Sequence, residues 1–67
     1  MSARYLMTAN EQMVLDLQAL GYVPINIITQ FKRPPVCTFD VTDGRSSDIE
    51  RRFSGEYIVT YHLTLSF

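Results

Sequence analysis

Few residues in this 67-residue sequence are equipped for chemistry, and their spacing limits what they can do. Cys37 and His62 are its only thiol and imidazole, so one chain cannot assemble the nitrogen and sulfur set that tetrahedral zinc takes. Alternation along a strand puts Cys37 with Phe39 and Val41, and turns His62 away from Tyr61 and Leu63. Cys37 therefore reads as a small core hydrophobe and His62 as an outward strand residue. Asp40, Asp43 and Gly44 have the look of a calcium loop, but a glycine at its sixth position would put Phe39 and Val41 where oxygen ligands belong. These aspartates read as turn formers. Ser46 and Ser47 have no base at a fixed spacing, and Ser47 suits a helix cap. No catalytic residue, metal site or cofactor is expected.

The cations offer more. Lys32 and Arg33 sit in a loop, Arg51 and Arg52 on a short helix, and Arg4 and Arg45 elsewhere. If Lys32, Arg33, Arg51 and Arg52 converged, they would bind phosphates, which is the nucleic-acid reading of this chain. Against it, Asp48, Glu50 and Glu56 flank the helical pair. Where ferredoxin-like RNA binders stack bases on sheet aromatics, this chain has Asn26, Gln30, Thr38, Thr60, Thr64 and Ser66. A different signal comes from Tyr22, Ile28, Val36 and Ile58, which break the polar parity of their strands. Clustered on an open sheet face they would form a contact surface.

Composition bounds the host for these residues. Hydrophobic residues make up 46% and charged residues 19%, too apolar a balance for a disordered chain, and the length allows a single domain over residues 1–67. Six basic against seven acidic side chains leave a net charge of -1, so any anionic partner needs a local patch. One cysteine excludes an intramolecular disulfide and favours a reducing compartment. No run has signal-peptide character or the roughly 20 residues needed to span a bilayer. A cytoplasmic protein without membrane contact is expected.

The elements follow from periodicity. Thr8-Ala9-Asn10-Glu11 has a capping-box pattern, and Met13, Val14, Leu17 and Leu20 recur at helical spacing, which predicts a helix over residues 9–20 that leaves Leu15 off the stripe. Gly21 suits the residue after the helix, with Tyr22 folding back on its last turn. Val23, Ile25, Ile27 and Phe31 predict one face of a half-buried strand, with Pro24 at its start or on an edge. Lys32-Arg33-Pro34-Pro35 reads as a hairpin loop, because consecutive prolines cannot donate to a ladder. Val36 to Val41 pairs back antiparallel. Ser47-Asp48-Ile49-Glu50 repeats the capping box ahead of a helix pinned by Ile49 and Phe53 and closed by Gly55. Residues 57–67 alternate as a last strand. The class is α+β, with two helices on one face of a three- or four-stranded, mainly antiparallel sheet. Its order is αββαβ, or the ferredoxin-like βαββαβ if residues 3–7 form a strand.

Three segments carry a resemblance: Leu20-Gly21-Tyr22, Phe39-Asp40-Val41-Thr42-Asp43, and Phe53-Ser54-Gly55-Glu56. Across residues 8–59 the chain resembles a domain-of-unknown-function family of small proteins from prokaryotes and their phages. That resemblance implies no activity and only a phage or mobile-element setting. A small core gains stability by association, so the expected function is a non-enzymatic accessory protein that binds another protein and self-associates as a homodimer.

Overall fold

The computed structural model describes residues 3–61. Its elements are β1 (Tyr5–Thr8), α1 (Glu11–Ala19), β2 (Asn26–Gln30), β3 (Arg33–Asp40), α2 (Ser47–Arg52) and β4 (Tyr57–Thr60). The N-terminal strand therefore forms, and the order is βαββαβ. The sheet runs β2-β3-β1-β4 with every pairing antiparallel, so each helix connects two strands that have a third between them. This is the split βαβ arrangement. It puts β1 at the centre, where Leu6 pairs with Phe39 on one side and Val59 on the other.

Directly paired residues share a face, so Leu6, Cys37 and Phe39 line one side of the sheet. Met13 and Leu17 of α1 and Ile49 of α2 pack onto that side, with Tyr22 and Val41 completing the core and Phe53 and Tyr57 bordering it. The helix ends as its residues dictate. Gly21 takes φ +100°, Gly21 N donates to Gln18 O at 2.9 Å and Tyr22 N to Leu17 O at 3.2 Å, a Schellman closure that folds Tyr22 under the last turn.

Several expectations are corrected. The cap of α1 is Asn10, whose Oδ1 accepts from Met13 N at 3.0 Å, whereas Thr8 ends β1 and its hydroxyl donates to Glu56 O at 2.8 Å. Pairing with β3 and β4 has claimed Thr8 before the helix can use it. Ser46 rather than Ser47 precedes α2, and Ser47 Oγ donates back to Gly44 O at 2.8 Å. Leu20 lies past the buried stripe and is 40% exposed. The hairpin loop shrinks to Phe31 and Lys32, with Gln30 facing Arg33. Pro34 and Pro35 lie inside β3, where a register shift opposite β2 absorbs them and β1 pairs only with Cys37–Asp40. A proline costs nothing where no ladder bond is due.

The largest departure is β2. Its predicted inward residues are exposed, and no β2 residue belongs to the core. It lies at the sheet edge, and the two helices pack over β1, β3 and β4.

Candidate interaction surface

Two apolar surfaces stand out on this scaffold. The first is a groove on the face of the sheet opposite the helices. β1 stops at Thr8, where the chain turns off into α1, while β3 and β4 flank the gap that this leaves. Met7, Val36, Ile28 and Ile58 line the resulting groove of about 430 Å³, with Gly55 and Tyr57 at its end. Register explains the meeting, since Ile28 pairs with Val36 and Met7 with Ile58. Three of the four expected interface residues thus come together. Tyr22 does not join them: it is buried on the helix side, and its hydroxyl donates to Asp43 while Arg45 stacks 5.1 Å from its ring. The helix closure that needs an apolar residue after Gly21 takes that side chain inward. Met7 is the member the sequence reading missed.

The second surface is β2 itself. Val23, Ile25, Ile27, Ile28 and Phe31 are between 45% and 86% exposed along one uncharged stretch of chain. Beside it, Val14, Leu15, Pro35 and Cys37 line a shallow apolar cleft of about 310 Å³ between α1 and β3. Pro24 was the available signal, because a proline at this point marks an edge strand.

The basic residues fall in two places. Lys32 and Arg33 are at the tip of the β2–β3 hairpin, while Arg51 and Arg52 are on α2, reached only after the chain has run the eight residues of β3 away from that tip, about 23 Å. Arg51 pairs with Asp48, and Arg52 lies 3.4 Å from Asp16 of α1.

Another polar centre was not foreseen. Arg4 Nη1 donates to Glu50 Oε2 at 2.8 Å, a second guanidinium nitrogen reaches Oε1, and Ser46 Oγ donates to Oε2 at 2.6 Å. The hydrogen bond from Arg4 holds the Glu50 carboxyl below its ordinary range against the opposing effect of burial. Glu50 is nearly buried, and the arrangement ties the segment before β1 to α2. It pairs charge with charge and leaves no free acid or base. At Asp43, the hydrogen bond from Tyr22 and then the Arg45 guanidinium bring the carboxyl down to about 2.

Cys37 is buried among apolar side chains, and that burial pushes its thiol up. Among the described residues no three of His, Cys, Asp and Glu cluster as a metal set would, and His62 lies outside them. No described helix is long and apolar enough to cross a membrane. No family model, curated protein or solved structure matches the chain.

Proposed function

We propose that this chain is a non-enzymatic interaction protein that binds protein surfaces, including a second copy of itself, through the apolar residues its sheet leaves in water. One observation carries the reading. Ile28, Val36 and Ile58 converge with Met7 in a single apolar groove on the face that neither helix covers. Clustered apolar surface in water is costly, and contact with another protein removes that cost. The phage or mobile-element setting implied by the family resemblance belongs to the same proposal. The nucleic-acid reading draws no support from the cations, which are divided between hairpin and helix, with both α2 arginines beside aspartates.

Sedimentation velocity across the micromolar range tests it. Wild type is expected to sediment above 7.7 kDa, with the assembly weakened by Ile28→Lys or Ile58→Lys. A single chain throughout, identical in all three proteins, would overturn the reading.

A further inference from the structure

We infer that two copies of this chain join edge to edge along β2, antiparallel about a two-fold axis at Ile28, to make one continuous eight-stranded sheet with the helices of both copies on the same side. The inference deepens the self-association reading and rests on it.

The first support is burial. Among the described residues β2 hydrogen-bonds to β3 alone and gives no side chain to the core, yet it is among the most apolar segments of the sequence. Such an edge is a template for another strand unless charge, proline or a bulge blunts it. From Val23 to Phe31 there is no charged residue, and the only proline, Pro24, precedes the strand. The register shift inserts its extra residue in β3, where Pro34 and Pro35 lie, and leaves β2 unbroken.

The second support is that the strand is complementary to itself in one register. With Ile28 opposite Ile28 of the second copy, Ile25 meets Phe31, Ile27 meets Thr29, and Asn26 meets Gln30. Apolar side chains face apolar ones at Ile28 and at Ile25 with Phe31, the two amides face each other, and Ile27 against Thr29 is the one mixed pair among these. Lys32 falls opposite Pro24 and not opposite its own copy. A shift by one residue sets Asn26 against Phe31. A shift by two sets Asn26 against Ile28, or Ile25 against Arg33. Of the registers that keep the helices of both copies on one side, the one centred on Ile28 leaves the fewest mixed pairs, and the two-fold axis uses the same edge from each copy, so the assembly closes as a dimer.

The third support is area. The five exposed apolar side chains from Val23 to Phe31 leave on the order of 100 Å² each in water. Two copies therefore hold about 1,000 Å², the size at which specific interfaces begin. Ile28 also borders the open-face groove, so pairing there would join the grooves of the two copies.

Disulfide trapping tests the register. Asn26→Cys and Gln30→Cys change the first and last residues of β2 itself, which this register sets opposite each other on the side of the sheet away from Cys37. Directly opposed antiparallel residues are about 4.5 to 5.5 Å apart at Cα, within disulfide reach. Buried Cys37 stays as it is, and wild type is the control. An oxidised equal mixture of the two variants is expected to form a mixed disulfide of twice 7.7 kDa, while each variant alone stays mostly unlinked. If wild type sediments as a dimer but the mixture links no better than either variant alone, or if Ile58→Cys links to itself instead, the edge proposal is overturned and self-association stands. A wild type that remains a single chain removes both.

Discussion

Replacing Arg4 with Met would leave the Glu50 carboxylate, whose side chain is 9% exposed, with Ser46 in place of a cation. Breaking a fully buried pair this way costs about 3 to 5 kcal/mol, because the remaining charge is stranded away from water. Arg4 is 30% exposed, so solvent already screens part of the attraction, and about 2 to 3 kcal/mol is the expected loss. Glu50→Gln keeps the shape and can still accept from Ser46, while Arg4 turns outward to water; about 1 to 2 kcal/mol fits that milder change. The two losses should not add: a double-mutant cycle is expected to return a coupling of about 1 kcal/mol or more. The pH dependence has a definite sign. The folded Glu50 carboxyl titrates below its ordinary 4.5, so its contribution is complete above that value and disappears as pH falls through the lower, folded one. Wild type should therefore lose more stability than Glu50→Gln between about pH 6 and about pH 3. Urea denaturation followed by far-ultraviolet circular dichroism, at one fixed protein concentration, measures both. Equal urea midpoints for Arg4→Met and wild type, or parallel pH curves for Glu50→Gln and wild type, would refute the reasoning.

Leu17 is fully buried under the sheet, so Leu17→Ala should cost about 2 to 5 kcal/mol, whereas Leu15→Gln, at a position 58% exposed, should stay within about 0.5 kcal/mol; similar thermal midpoints for the two variants would contradict the helical stripe. Thr38 is buried in β3 and its hydroxyl oxygen has no hydrogen-bond partner among the described residues, so Thr38→Val should raise stability by up to about 1 kcal/mol in the same urea assay, and a clear loss would show that the hydroxyl is satisfied.

Much of the architecture was legible because local rules and tertiary packing agree. The Met13 and Leu17 stripe, the Gly21-Tyr22 closure and the Cys37-Phe39-Val41 alternation each describe which side chains share a face, and each face proved to be the buried one. Cap identity was less legible, since Thr8 and Asn10 are both good caps and the choice went to whichever residue the sheet had left free. Of the expected contact residues, Ile28, Val36 and Ile58 share one groove because strand register aligns them, while Tyr22 was misplaced because its role in ending α1 outweighed its apparent strand parity.

The sequence by itself therefore determined the elements, their order up to one open strand, the core residues of α1 and β3, and the scarcity of thiol and imidazole groups. Those are consequences of periodicity, turn chemistry and composition, which act over a few residues. Only the tertiary structure decided that β2 lies at an edge beyond the reach of both helices, that Pro34 and Pro35 fit within a strand, that Arg4 meets Glu50 across 46 positions, and that Arg52 of α2 meets Asp16 of α1. Period two says that Ile25, Ile27 and Phe31 point the same way. Whether another layer covers them depends on where chain segments distant in sequence come to rest, and no local pattern contains that information.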